Sequence, residues 1–314
     1  MRFRNIIKSG ITVAALALFA NCSKDKNEEI IDQNIKTETF DQGIIKMGIY
    51  SQEVELSKLV DKIDFTQADP KSQYQNLLQK DKDVQAIVKT VEEMASKNPL
   101  AGLVLSMNTT SCTYYVKDDK VLGKVKGFGW EMDNYHDELQ DKGSLYLETL
   151  TKTSEIAESD RKIYAHYTPS ENPGAGANSN IELENFNRTE LNKTEVVNGY
   201  LCNVSQLTPK TLDTDTPIQM RKLLVYTSPL FKKTINFTHP FYLDEKNGIL
   251  RIDIYFVDDN TPTLVMKPKS IERRVVNENE LKSRTTQPGY GEINAEWAFK
   301  ALPILTSGWS VLSK

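Results

Sequence analysis

Between Pro70 and Ser96 apolar residues return every three or four positions: Tyr74, Leu77, Leu78, Val84, Ile87, Val88, Val91 and Met94. That spacing lays one apolar stripe along a helix and predicts a single long helix over 70–96. Asp69 before Pro70 suits an N-cap followed by proline in the first turn, and Asn98-Pro99 is read as its end. From Leu100 onward the period becomes two, the mark of strands. Ile249 to Val257 is the clearest case: Leu250, Ile252, Ile254 and Phe256 face one way, Arg251, Asp253 and Tyr255 the other. Further strands are read at Gly43–Tyr50, Cys112–Val116, Val121–Val125, Phe128–Met132, Leu145–Leu150 and Ile163–Tyr167. After the Gly, Pro and Asn-rich loop Pro169–Asn180, they resume at Thr194–Val197, Leu201–Leu207, Arg221–Tyr226, Thr263–Met266 and, beyond Pro268, Ile271–Val276. Alternation of this kind buries one face and wets the other, as antiparallel sheets do. The expected fold is mainly β (α+β): a curved antiparallel sheet with the helix at 70–96 packed on its concave side. The segment from about 291, with Trp297, Phe299, Leu302, Leu305 and Trp309, is too apolar for a free tail and is expected to dock on the domain.

The first residues break this pattern. Ile11 to Ala20 is a ten-residue apolar run behind Arg2, Arg4 and Lys8. It is shorter than the roughly 18 residues of a membrane span and has the layout of a signal peptide. Phe19-Ala20-Asn21-Cys22 resembles the bacterial lipoprotein box, with Asn21 where Gly, Ala or Ser is usual. The resemblance implies that residues 1–21 are a signal peptide and that Cys22 is lipidated and holds the chain to a membrane. The cell envelope follows as the expected location: an outer-membrane lipid anchor, facing the periplasm or exposed at the cell surface. Residues 22–40, beginning Cys22-Ser23-Lys24-Asp25-Lys26-Asn27-Glu28-Glu29, are charged and aperiodic and read as a disordered tether. Their charge also resembles the surface-export signal of Bacteroidota-type lipoproteins; a plain solvated linker is the other reading. Residues 41–314 then make one β-rich domain.

Composition narrows the function classes. With 39% hydrophobic and 26% charged residues among 314, the chain is globular rather than disordered or coiled-coil. Its formal charge is −4, and removal of 1–21 takes away three basic residues and no acidic one, leaving −7. Such a chain has no electrostatic footprint for nucleic acid or for anionic headgroups.

Several segments carry a family resemblance. Thr194-Glu195-Val196-Val197-Asn198-Gly199-Tyr200-Leu201-Cys202 resembles the T-x-x-I-x-G-Y-x-C segment of the GLPGLI-type and DUF4412-like lipoprotein domains of Gram-negative bacteria. Met107 to Lys124, which contains Lys117-Asp118-Asp119-Lys120-Val121, looks like that family's strand–turn–strand. Asn247 to Leu250 is similar to the start of a late strand there, with Leu250 in place of Pro-Leu, and Glu280 to Tyr290 looks like the closing motif. The resemblance covers roughly residues 40–290. It implies a fold similar to the lipoprotein carriers LolA and LolB, a half-open β-barrel with helices in its mouth, whose concave side holds acyl chains.

No arrangement of residues names a reaction. His136, His166 and His239 share no ligand spacing, and HExxH, GxSxG and P-loop motifs are absent. Gly174-Ala175-Gly176 lacks a third glycine. Asp118-Asp119 and Asp258-Asp259-Asn260 lack the spacing of a calcium loop and read as turns. Glu131 with Asp133 and Asp137 with Glu138 supply paired carboxylates of an ordinary kind. No metal, no cofactor and no enzymatic activity are expected. Once lipidation takes Cys22, Cys112 and Cys202 remain as an even pair in an oxidising compartment: a disulfide, or two small buried hydrophobes. Phe128, Trp130 and Met132 alternate on a strand flanked by Gly123, Gly127 and Gly129 and are the candidate lining of an apolar pocket, or else part of a filled core.

The favoured expectation is an exported, membrane-anchored protein whose domain binds a lipid or other hydrophobic small molecule without covalent chemistry. The alternative is a structural or adhesive envelope protein acting through protein contacts, with Trp297 and Trp309 as anchors; its partners are not legible in the sequence.

Overall fold

The computed structural model describes residues 35–152, 156–177, 179–211, 219–258, 260–287 and 289–312. Residues 1–21, read as a signal peptide, Cys22 and the first part of the segment read as a tether lie outside the described residues.

In chain order the elements are β1 (Gln42–Ser51), β2 (Val54–Glu55), α1 (Lys58–Lys62), α2 (Pro70–Lys80), α3 (Lys82–Lys97), α4 (Pro99–Met107), β3 (Ser111–Lys117), β4 (Lys120–Lys126), β5 (Trp130–Asp137), β6 (Lys142–Thr149) and β7 (Lys162–Tyr167). There follow β8 (Ser179–Asn180), β9 (Phe186–Val197), β10 (Tyr200–Pro209), β11 (Lys222–Lys232), a 3-10 turn at Lys233–Thr238, β12 (Phe241–Tyr242), β13 (Asn247–Tyr255), β14 (Leu264–Arg273), α5 (Ala295–Thr306) and α6 (Trp309–Leu312). One curved antiparallel sheet runs β7-β6-β5-β4-β3-β1-β14-β13-β11-β10-β9, with β2 paired to β1. It does not close into a barrel. Its outer strands differ in their cover. The backbone of β7 is bound by Gly291, Tyr290 and Ile293 through His166 N, Tyr164 O and His166 O, whereas β9 carries Arg188, Glu190, Lys193 and Glu195, charges that blunt an open edge.

Local chemistry explains several joints. Asn198-Gly199, both at positive φ, turns β9 into β10, as a two-residue hairpin requires. This is the centre of the Thr194–Cys202 motif, so that motif marks a hairpin whose Tyr200 and Cys202 are buried. Pro268 stands inside β14 because the pairing with β1 slips between Lys46 and Met47: Lys46 faces Ser270 and Met47 faces Pro268, leaving Lys269 as a bulge. The two strands read on either side of Pro268 are therefore one.

The helix expected over 70–96 is two helices. Asp81 ends α2 and caps α3, accepting from Asp83 N and Val84 N while Lys62 pairs with its carboxylate at 2.7 Å. The apolar spacing shows the break, since Leu78 is followed by no stripe residue until Val84. Nor does Asn98-Pro99 lead into strand. Asn98 caps α4 by accepting from Leu100 N and Ala101 N, and Pro99 opens it. The last residues of the segment read as a tether belong to the domain. Lys36 bridges Tyr200, the Arg273 guanidinium reaches Glu38, and Phe40 is buried, stacked on Phe231 at 4.9 Å.

Two apolar clusters fill the domain. One joins β3–β7 to Trp297, Ala301 and Ile304 of α5 and to Phe231 and Ile235 near the 3-10 turn. The other lies between α1–α4 and Ile49, Leu207, Leu223, Val225, Ile252, Ile254 and Met266 of the sheet. The C-terminal segment is docked, as its apolar content predicts.

Candidate functional site: an apolar cavity between α4 and the C-terminal helices

The site is built on the β4–β5 connection. Gly127, Phe128 and Gly129 turn the chain, with Gly127 N donating to Trp130 O at 2.9 Å. Gly129 has φ +84°, a conformation cheap only for glycine. Its carbonyl accepts from Leu150 N at 2.8 Å and from Ser307 Oγ at 3.0 Å. The Thr149 hydroxyl donates to Ser307 Oγ at 2.9 Å. The elbow between α5 and α6 thus sits directly on this turn, backbone against backbone: a Cβ on Gly308 would lie 2.2 Å from Phe128 O.

Between this elbow and α4 lies a cavity of about 460 Å³, within the range of roughly 300–1,000 Å³ of small-molecule sites. Phe128 and Trp130 line its sheet side. Val104, Ser106 and Met107 of α4, with Asn108 and Thr109, form one wall; Leu302, Leu305, Thr306 and Trp309 form the opposite wall; Met220, Phe241, Phe256 and Ala177 complete it. A smaller chamber of about 130 Å³ shares Ser106, Thr109 and Phe128 and runs under Leu59, Tyr74, Ile87, Val88 and Val91. The rim is apolar too. Met107 is 54% and Leu302 62% exposed; Leu103 and Phe299, one turn earlier on the same helices, are also exposed. Isolated surface leucines are ordinary, but Met107 and Leu302 face each other across this cavity as exposed members of its lining.

Of the residues read as pocket lining, Phe128 and Trp130 hold that place. Phe128 does so from the turn, not from the strand, which starts at Trp130. Met132 does not line the apolar cavity; it sits in the sheet core and borders a separate polar cleft of about 370 Å³. The rest of the lining does not show in the sequence. Leu302, Leu305 and Trp309 show only that the C-terminal segment docks, and α4 has no visible period because Leu100 to Leu105 is too uniformly apolar.

Cys112 and Cys202 are free, buried thiols. They stand in β3 and β10, separated by β1, β14, β13 and β11. Of the two sequence readings, the structure shows the buried hydrophobes. Burial pushes both thiols up to about 12, far from a reactive thiolate. In the full chain carrying Cys22→Ser, neither thiol is expected to label with a maleimide in the native state, and both are expected to label in denaturant. An intact mass two hydrogens light would show a bridge instead.

The polar candidates are committed to the fold. Arg284 holds Asp133 through Nε at 3.0 Å and Nη2 at 2.8 Å, and Glu131 and Glu148 through Nη1 at 3.0 Å. Its guanidinium lies 4.6 Å over Tyr146. Burial works against its charge, but Asp133 and the other carboxylates keep its pKa raised. The Glu131–Asp133 pair is thereby spent on clamping the 274–290 segment to the sheet. Asp137 accepts from Gln140 N and Glu138 pairs with Lys233. Asp258 closes a turn by accepting from Asn260 N and Thr261 N. His166 is exposed beside Tyr164, while His136 and His239 are buried apart from the cavity lining. Among the described residues no three His, Cys, Asp or Glu side chains gather as a metal site, and no helix is long and apolar enough to cross a membrane.

A scan against protein-family models finds no match, and a search of curated proteins finds none either. Among solved structures, that of PNGF-II in a C2 space group is similar over 62% of this chain, at 7% identity and a TM-score of 0.31. The match takes in 32% of that protein, so this chain spans about a third of its length. A likeness at that level bears on neither fold nor function.

Proposed function

We propose that the domain is a non-enzymatic binding module for a lipid or other hydrophobic small molecule. The observation that carries this reading is the 460 Å³ cavity, walled by Phe128, Trp130, Leu305, Phe241, Phe256 and Trp309 and open at an apolar lip. Each methylene moved from water into such a space contributes about 0.8 kcal/mol, so a chain of eight to ten carbons supplies useful affinity with no charged contact. The resemblance of the Thr194–Cys202 segment to lipoprotein domains of carrier-like fold agrees with this. The N-terminal pattern supports an exported protein held to the outer membrane by lipid on Cys22, and the domain would then meet amphiphiles at the surface to which it is anchored.

Native mass spectrometry of the full chain carrying Cys22→Ser, recovered from an envelope-containing host, tests the reading. A defined adduct that dissociates as a lipid or other apolar molecule is expected. An adduct-free mass that does not change on incubation with envelope lipids would overturn it.

The alternative, an adhesive envelope protein, lacks exposed tryptophan anchors at Trp297 and Trp309. Trp297 is buried, and Trp309 is half-buried in the cavity wall. Exposed apolar side chains remain elsewhere among the described residues, such as Leu139, Val275 and Phe299.

A further inference from the structure

Resting on the reading of this cavity as a hydrophobic binding site, we infer that Phe128 is the partition that sets how long an alkyl chain the site accepts. It stops the chain at the end of the main cavity and closes off the side chamber behind it.

Two observations carry this. The first is position. The main cavity of about 460 Å³ and the side chamber of about 130 Å³ have three lining residues in common, Ser106, Thr109 and Phe128. These three therefore form the wall between the two spaces. Ser106 and Thr109 are small, and their hydroxyls are turned onto carbonyls of α4, donating to Gly102 O and Leu105 O at 2.9 Å. The bulk of the wall is the Phe128 ring. The chamber beyond it is suited to the methyl end of a chain: Leu59, Ile87, Val88 and Val91 line it with Tyr74, and Glu92 is its one charged residue.

The second observation is how the ring is held. Phe128 is buried and packs edge to face against Phe65, with ring centroids 4.9 Å apart and planes at 71°. Its backbone is fixed as well. Phe128 O abuts Gly308 too closely for a Cβ there, and the next carbonyl, of Gly129, accepts from Leu150 N and Ser307 Oγ. A ring braced by Phe65 on a turn tied to the C-terminal elbow is a fixed wall, one that does not retreat before a longer chain.

Trp130 and Trp309 line the main cavity, so intrinsic fluorescence reports its occupancy. The full chain carrying Cys22→Ser is titrated with 1-alkanols from hexanol to dodecanol, each below its solubility limit. Each methylene that enters the cavity should tighten binding about fourfold. Once the chain meets Phe128 the affinity should stop rising. Phe128→Leu is expected to move this break to longer chains, and Phe128→Ala to move it further. Loss of a buried ring costs stability, so circular dichroism checks that each variant is folded, and the milder leucine variant suffices by itself. Val88→Phe, which fills part of the chamber, should leave the parent's break in place and pull that of the Phe128 variants back toward it. A break that stays put in a folded Phe128 variant, a parent whose affinity rises to dodecanol without a break, or a parent's break displaced by Val88→Phe would overturn this inference and leave a hydrophobic site bounded elsewhere. If no alkanol changes the tryptophan signal, the hydrophobic-site reading itself falls, and this inference with it.

Discussion

Acidification from pH 7.5 to 4 is expected to remove about 6 kcal/mol of folding stability, through two histidines. His136 is fully buried, stacked on Phe237 at 3.5 Å between ring centroids, and neither ring nitrogen has a hydrogen-bond partner. His239 is buried with Nδ1 held by the Phe241 backbone and Nε2 without a partner. Burial pushes both down to about 4 from the ordinary 6.5. For His136 the carboxylates of Glu138, Asp137 and Asp141 pull the other way, and Lys233 adds to the depression. The folded state therefore binds fewer protons than the unfolded chain between pH 6.5 and 4, and stability falls as pH falls through that window. A depression of this size is worth about 3 kcal/mol per group at pH 4. The carboxylates with lowered values, such as Asp64 and Glu280 at about 2, lose their contribution mainly below pH 4 and do not obscure it. Urea unfolding at pH 7.5, 5.5 and 4.5 measures the slope. His136→Phe with His239→Asn should flatten it, the asparagine amide replacing Nδ1 toward Phe241. A double variant with the original acid slope would assign the effect to other groups.

Gly129→Val is expected to destabilise the protein by about 3 kcal/mol or more and to separate the C-terminal helices from the sheet. Valine at φ +84° is strained, at about 1–3 kcal/mol. Its Cβ would also stand 2.6 Å from Gly308 Cα, a backbone atom that no rotamer change can move aside, which adds about 1–3 kcal/mol of overpacking. Only the sheet side and α4 would then remain of the cavity, so ligand binding should be lost together with the native Trp309 emission. Gly291→Ala is the control for strain alone: its φ is +64°, with nothing within 4 Å of the added carbon, and about 1 kcal/mol is expected. If Gly129→Val unfolds within 1 kcal/mol of the parent and keeps its Trp309 emission, the elbow is not held by this contact.

The sheet was largely legible because its strands alternate. The read strands from Gly43 to Met266 correspond to strands of the structure, and the Lys117–Lys120 and Asn198-Gly199 turns follow from residues that accept positive φ. The failures have physical causes. Asp81 and Asn98 each end one helix and begin the next, and a residue in both roles looks like a stop when only the stop is sought. Pro268 reads as a break because a bulge that frees its missing N–H depends on the partner strand. For the site, Phe128 and Trp130 were legible as bulky apolar groups set among glycines. Leu302, Leu305 and Thr306 were not, because their place in the wall depends on the contact between Gly129 and Gly308, some 180 residues apart in the chain.

The path of the chain at its N-terminal side has a mechanical consequence. Tension applied ahead of residue 35 falls first on the contacts of Lys36, Glu38 and Phe40 with Tyr200, Arg273 and Phe231. It then reaches β1, which lies in the middle of the sheet and is laced on both sides, to β3 and to β14. An edge strand peels one rung at a time; β1 yields only when two ladders give way together. A tug on this end of the protein is met by a strand held on both sides, while the cavity is walled by other elements, α4 and the C-terminal elbow.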